Sequence, residues 1–276
     1  MGSFRGEIAD VTVHPQVIEV AATYLSLADA ATPDLVEGLY LTGSAALDDF
    51  RPGESDIDFV AVSRAPATTE QVRALELVHS QLARLHPHPF FDGVYLTWDE
   101  LARDPSAAAK GPHVRGQTLT PATSGGRNPV LWHTLAHRGV TLRGPFAQDL
   151  VVAADPAGLA AWTRDNLRNY WRPWWERGSR PTTPAGLALL GTWAPAWGVL
   201  GVSRLHHMLA TGRVISKSAA AHYARTVFPE PWYRILDECL RIRTAEDTRS
   251  LYATPFTRRT EALGYTAMAI DSALAL

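Results

Sequence analysis

Hydrophobic and polar positions divide the chain into a first half in which strand and helix patterns alternate and a second half that is helical. In the first half, short apolar or alternating runs predict three strands, over residues 39–42, 56–62 and 93–97. Apolar residues at helical spacing predict a helix from 15 to about 30. A second helix is predicted after Thr68, which forms a capping box with Gln71.

Two segments of the first half lack this regularity. Thr97 and Glu100 form a second capping box, which predicts a short helix directly after the third strand. Residues 104–128 are rich in Ala, Gly, Pro, Ser and Thr, so they predict only a loop or irregular strands.

From about residue 155 the pattern is helical. Asp155 and Pro156 have the residue types of a helix start, and we expect that helix to reach about residue 170. Residues 171–175 and 178–184 are rich in Trp, Pro and Gly and predict a linker. Further helices are predicted over residues 195–211, 217–227, 232–243 and 255–275.

This order of elements predicts a mixed α/β (α+β) protein with two domains. We expect residues 1–155 to form a domain with a small mixed sheet flanked by helices. Residues 156–276 would form an α-helical bundle domain.

Composition narrows the classes of function. The 276 residues are 46% hydrophobic. They include 26 basic and 28 acidic side chains, which give a formal net charge of −2. Nucleic-acid binders normally carry a basic surplus, so we expect no nucleic-acid partner. Cys239 is the single cysteine, which excludes an internal disulfide framework and a zinc site built on cysteines.

The sequence predicts no membrane segment. The first ten residues have no apolar core of signal-peptide length. The longest uncharged stretch, 185–202, is diluted by glycine, threonine and proline, so a buried helix pair explains it better than a membrane span. We expect a cytoplasmic monomer.

The most informative segment joins a Gly-Ser turn to a strand that opens with two aspartates. Gly43 and Ser44 end the first strand, and Asp56 and Asp58 open the second. Side chains alternate along a strand, so the two carboxylates project from one face, about 6.6 Å apart. Paired carboxylates suit Mg²⁺, while Gly43 and Ser44 would let the backbone and a hydroxyl approach a phosphate.

A third carboxylate on the next strand would complete a two-metal site for phosphoryl transfer. Asp92 opens that strand and is the candidate. A strand-capping aspartate is the simpler alternative for this residue.

At these residues the chain resembles the DNA polymerase β-like nucleotidyltransferase superfamily. The segments 202–205, 211–217 and 219–221 are also similar to the helical domain of the streptomycin/spectinomycin-type aminoglycoside adenylyltransferases, as is 142–145 at the domain junction. The resemblance covers about residues 35–245 and is weakest between 100 and 130.

The resemblance implies a role for each matched residue. Asp56 and Asp58 would hold two Mg²⁺ ions on the phosphates of ATP, and Ser44 and Ser55 would contact those phosphates. Arg204 and Lys217 would neutralise the triphosphate, which would lie between the domains. Asp92 stands where the family has a glutamate that acts as general base on the acceptor hydroxyl, so it is either that base or a third metal ligand.

The sequence departs from the family in the acceptor region. The family's acidic residues before the Ser-Arg-Leu motif contact the drug, whereas residues 187–197 carry no carboxylate here. Aromatic rings also bind cations, so Trp193, Trp197 and Trp132 are candidates for the acceptor site. Packing in the core or between domains is the alternative for each of them.

The resemblance predicts an adenylyltransferase that uses Mg-ATP to modify a hydroxyl of a small, sugar-containing molecule, with an aminoglycoside antibiotic as the best-supported acceptor. One alternative keeps the chemistry and changes the acceptor to another natural product or to a protein. A second alternative is a nucleotide-binding regulator that has lost catalysis.

Overall fold

The computed structural model describes residues 12–245 and 249–276. Internal contacts divide the chain into two compact units, Met1–Asp155 and Pro156–Leu276. The first unit contains a sheet and helices and the second is helical, which confirms the mixed α/β fold class.

The first unit is built on a six-stranded mixed sheet in the order β5-β4-β3-β2-β1-β6. Its strands are β1 Gly38–Leu41, β2 Ile57–Ser63, β3 Phe91–Thr97, β4 Gly111–Arg115, β5 Thr118–Thr123 and β6 Val140–Arg143. The β2–β3 pair is parallel and the other pairs are antiparallel. The sequence predicted the first three strands but only irregular structure where β4 and β5 form a hairpin.

Helices cover both faces of this sheet. They are α1 Pro15–Ala31, α2 Gly43–Ala46, α3 Thr69–Leu85, α4 Trp98–Leu101 and α5 Pro129–Arg138. Both predicted capping boxes form, at the starts of α3 and α4. Apolar residues of α1 and α3 pack on one face of the sheet, and those of α4 and α5 pack on the other.

The described part of the second unit contains helices and no strand. Its helices are α6 Pro156–Asn166, α7 Arg172–Ser179, α8 Pro184–Ala188, α9 Trp193–Thr211, α10 Lys217–Val227, α11 Tyr233–Thr244 and α12 Pro255–Leu274. A π-helical turn, Leu167–Trp171, joins α6 to α7. Helix α10 begins and ends where the sequence predicted.

The predicted linker was wrong in its first part, because 172–179 is helix α7. Tertiary packing explains why. A Cβ on Gly201 would lie 2.3 Å from the ring of Trp171, and one on Gly198 would lie 2.5 Å from the ring of Trp174. The two indole rings therefore pack into the space left by the two glycines of α9. Because this contact joins segments that are distant in sequence, no local sequence pattern indicates it.

Buried polar groups also tie the second unit together. Glu238 on α11 is fully buried and accepts hydrogen bonds from the guanidinium of Arg241, the hydroxyl of Ser250 and the backbone N–H of Leu251. Arg258 of α12 lies 3.3 Å from the same carboxylate. Burial alone would raise the pKa of Glu238, but these hydrogen bonds outweigh burial and lower it to about 2.

Among the residues described, none of the helices is sufficiently long and apolar to traverse a bilayer. Residues 185–202 lie partly in α8 and partly in α9.

Candidate active site

Asp56 and Asp58 lie where the chain enters β2. Asp58 is half-buried and Asp56 is exposed. The carbonyl of Asp58 accepts the N–H of Thr42 at 2.9 Å, which joins the start of β2 to the residue between β1 and α2. Alternation along β2 places Asp58 on the same face of the sheet as Val60, whose side chain belongs to the core beneath α5.

Gly43 is required at its position because it lies against the carboxylate of Asp58. Its φ is +55°, in the left-handed region that favours glycine. A Cβ built on Gly43 would lie 1.8 Å from Oδ2 and 2.6 Å from Cγ of Asp58. The Gly-Ser turn therefore allows the backbone to approach the Asp58 carboxylate more closely than any other residue type would permit.

The two serines, Ser44 in α2 and Ser55 in the loop before β2, are held differently. Ser44 is half-buried, and its Oγ lies 3.5 Å from the carbonyl oxygen of Asp56. Ser55 is only 7% exposed, and its Oγ accepts the N–H of Arg51 at 3.0 Å. Ser55 thus closes the loop, and Ser44 is the more accessible hydroxyl beside the two aspartates.

Asp92 is in register with Asp58. The two residues are paired across the parallel strands β2 and β3, which places their Cα atoms about 4.8 Å apart. The Asp92 carboxylate accepts the N–H groups of Gly116 and Gln117, at 2.7 and 3.0 Å. Both residues have positive φ and form the two-residue turn of the β4–β5 hairpin, so this turn presents two N–H groups to one anion.

His113, on β4, is a further titratable group in this region that the sequence interpretation missed. It is paired with Val94, two residues beyond Asp92. Burial lowers the pKa of His113, the charge of Arg127 lowers it further, and the charge of Asp92 opposes both. A histidine in an unpredicted strand gave no signal in the sequence.

The side chains at this end of β2 and β3 offer oxygen atoms as ligands, and oxygen ligands fit Mg²⁺ better than a softer metal. In the described ranges, no group of three or more His, Cys, Asp or Glu side chains is arranged to hold a metal ion. Asp56, Asp58 and Asp92 therefore do not form one three-ligand cluster. The carboxylate of Asp92 is held by the hairpin N–H groups.

In the second unit, Lys217 begins α10, and Arg204 binds the backbone just before it. Arg204 projects from α9, and its Nε donates to the carbonyl of Ile215 at 2.9 Å. Ser216 caps α10 by accepting the N–H of Ala219, which makes Lys217 the first residue of the helix. The Lys217 ammonium lies 4.9 Å from the centroid of the Trp197 ring.

The three candidate tryptophans differ in exposure. Trp193 is 68% exposed and stacks on Trp197 at 5.4 Å between centroids, with 10° between the planes. Trp132 is fully buried, and its indole N–H donates to the carbonyls of Leu101 and Arg103. The prediction that Trp132 lines the acceptor site was therefore wrong, since the ring belongs to the core of the first unit.

Two family models match the chain. The nucleotidyltransferase domain matches residues 27–94, and the C-terminal domain of aminoglycoside adenylyltransferases matches residues 187–257. The first range contains the Gly-Ser turn and the three aspartates, and the second contains Arg204 and Lys217. The chain therefore combines a match to a nucleotidyltransferase domain with a match to the C-terminal domain of aminoglycoside adenylyltransferases.

A solved structure has the same fold as this chain. Spectinomycin adenyltransferase AAD(9) from Enterococcus faecialis, crystallised with ATP and spectinomycin, superposes with a TM-score of 0.63 at 11% identity. The match covers 92% of this chain and 98% of that one. No curated protein sequence matches the chain significantly.

A cavity in the first unit lies away from the three aspartates. It has a volume of about 420 Å³ and is lined by the carboxyl ends of β2 and β3, at Ser63 and Thr97. Asp58 and Asp92 lie five residues earlier on the same strands, about 16 Å away. None of the predicted site residues lines this cavity.

Proposed function

We propose that the protein transfers AMP from Mg-ATP to a hydroxyl of a small, sugar-containing acceptor and releases pyrophosphate. The observation that carries the proposal is the contact between Gly43 and the Asp58 carboxylate, inside a segment that matches a nucleotidyltransferase domain. That contact fixes one carboxylate at the entrance of a strand where a second carboxylate, Asp56, lies two residues away.

Asp56 and Asp58 would hold two magnesium ions. When bound, the ions supply positive charge that offsets the charge of the phosphates. Ser44 would donate its hydroxyl to a phosphate oxygen beside them. Arg204 and Lys217 would neutralise the pyrophosphate as it leaves, and such neutralisation is a large part of catalysis in nucleotidyl transfer.

Asp92 would act as general base. The acceptor oxygen attacks the α-phosphorus, the bond to the β-phosphate oxygen breaks, and the hydroxyl proton passes to the carboxylate of Asp92. Each carboxylate oxygen accepts one hairpin N–H, which leaves a lone pair on each for the acceptor hydroxyl. The hairpin turn would therefore orient the base without consuming its capacity to accept the proton.

We propose an aminoglycoside antibiotic as the acceptor. The match of residues 187–257 to the aminoglycoside adenylyltransferase C-terminal domain supports this class, and the exposed ring of Trp193 offers a face for an ammonium group. The absence of acidic residues from the first turn of α9 favours the second candidate, a different natural product or a protein side chain.

Mass spectrometry decides between these acceptors. The protein is incubated with ATP, Mg²⁺ and a panel of aminoglycosides that includes spectinomycin and streptomycin, with the Asp58→Asn variant as control. We expect one drug to gain the mass of one AMP with the parent only. Pyrophosphate release with no modified drug would indicate another acceptor, and ATP binding without any pyrophosphate release would indicate a regulator.

A further inference from the structure

Trp197 is in contact with a residue of the proposed nucleotide site. The ammonium of Lys217 lies over its ring at 4.9 Å from the centroid, within the range of a cation–π interaction. The ring and the ammonium come from different helices, α9 and α10, so the contact is a tertiary one. An ammonium in this position occupies the aromatic face that a cationic acceptor group would otherwise use.

The ring of Trp197 is held in place by other aromatic side chains. Trp193 stacks on it, and the ring of Trp171 lies 5.8 Å away between centroids. Trp171 is itself only 5% exposed and fills the notch at Gly201. The ring that contacts Lys217 therefore packs against a buried ring.

The stability of α10 does not explain why a lysine is its first residue. A cation at the first residue of a helix lies at the positive end of the helix dipole, which is unfavourable, and the first turn of α10 contains no acidic residue. Arg204 is bound to the carbonyl of Ile215, two residues before Lys217. The guanidinium of Arg204, the first residue of α10 and the helix N-terminus thus lie near one another, an arrangement that suits an anion.

We infer that Trp197 is a positioning residue, which holds the Lys217 ammonium for the triphosphate and does not bind the acceptor. This inference rests on the proposed function, in which Lys217 neutralises the phosphates of ATP. It removes Trp197 from the acceptor site and leaves Trp193 as the tryptophan of α9 with an open face.

The test measures the dissociation constant of Mg-ATP by calorimetry, without any acceptor. Trp197→Leu removes the aromatic face and keeps apolar bulk, and we expect it to raise the dissociation constant about 3- to 10-fold. Trp197→Phe keeps a weaker aromatic face and should recover most of that loss. In a Lys217→Met background, Trp197→Leu should change the dissociation constant less than twofold, because its effect acts through the ammonium.

Trp193→Leu is the comparison variant, because it removes only the exposed ring on Trp197 and leaves the buried ring of Trp171 to support the contact with Lys217. Its Mg-ATP dissociation constant should stay within about twofold of the parent. In turnover assays, Trp197→Leu should leave the KM of the acceptor unchanged. A raised acceptor KM with an unchanged ATP dissociation constant would overturn the inference. It would also be overturned if Trp197→Leu raised the ATP dissociation constant equally in the parent and in the Lys217→Met background.

The design separates this inference from the proposed function. If the parent does not bind Mg-ATP, the proposed function fails and the inference fails with it. If the parent binds and Trp197→Leu binds equally well, only the inference fails. Thermal unfolding of each variant identifies loss of fold, and Trp197→Phe then carries the test because it preserves most of the packing.

Discussion

The candidate residues of the two units carry opposite charges, and within each unit they are placed by different means. In the first unit the backbone places the carboxylates: Gly43 lies against Asp58, and the N–H groups of a hairpin turn hold Asp92. In the second unit a side chain places the cation, because the ring of Trp197 contacts the ammonium of Lys217. The comparison indicates that the carboxylate region should tolerate almost no change of backbone, whereas the cationic region should respond in graded steps.

The largest expected effect is that of Asp58→Asn in the carboxylate region. Removing one carboxylate charge without changing the volume of the side chain should lower kcat by about 10³-fold and leave the fold intact. Pyrophosphate release in the presence of an accepted drug measures it. Asp99→Asn, at an exposed position on α4, is the control and should retain parental activity. Activity retained in Asp58→Asn would show that the site is elsewhere.

Gly43→Ala tests the backbone contact itself. The new Cβ would displace the Asp58 carboxylate, so we expect kcat to fall about 100-fold. Gly53→Ala is a matched control, because Gly53 also has positive φ, but a Cβ at that position would have no atom within 4 Å. Both variants should lose about 1 kcal/mol of unfolding free energy from backbone strain. Equal activity in the two variants would contradict the importance of the contact.

The cationic region should give a smaller and graded response. Lys217→Met removes one of two cations at the start of α10, and we expect the dissociation constant of Mg-ATP to rise about tenfold. The chain has one other lysine, Lys110, which lines the cavity at the far end of the sheet. Lys110→Met should leave ATP binding unchanged, and a similar loss in both variants would point to a general charge effect.

The smallest expected effect concerns stability in the second unit. The lowered pKa of Glu238 contributes stability that is present above its ordinary pKa of 4.5 and is lost as the pH falls toward about 2. At pH 3.5, about 1 kcal/mol of this contribution should already be gone. Glu238→Gln lacks the titrating group, so its stability deficit relative to the parent should shrink by that amount between pH 6 and pH 3.5. Denaturant unfolding at the two pH values measures the deficit, and a constant deficit would contradict the assignment.

Local signals explain what the sequence predicted of the fold. The capping boxes at Thr68 and Thr97 and the cap at Ser216 act within one turn of a helix, so their residue types were sufficient. The β4–β5 hairpin was missed because its turn uses Gly116 and Gln117, and a glutamine with positive φ has no recognisable turn signature. Helix α7 was missed because Trp171, directly before it, and Trp174, within it, pack against glycines of α9.

The same distinction applies to the candidate site. The sequence identifies the pair Asp56 and Asp58 and the neighbouring glycine of the turn, because the alternation of side chains along a strand is a local rule. The sequence did not reveal that the hairpin binds Asp92 or that Lys217 lies on Trp197, since both contacts depend on tertiary packing. For an isolated tryptophan such as Trp132, sequence alone does not separate a core role from a binding role.

The most direct test of the central claim is the dependence of ATP binding on Mg²⁺. We predict that Mg²⁺ lowers the ATP dissociation constant of the parent at least about tenfold, and that Asp58→Asn abolishes this difference. Lys217→Met should bind ATP more weakly overall and keep the response to Mg²⁺. An Asp58→Asn variant that responds to Mg²⁺ as strongly as the parent would contradict the account.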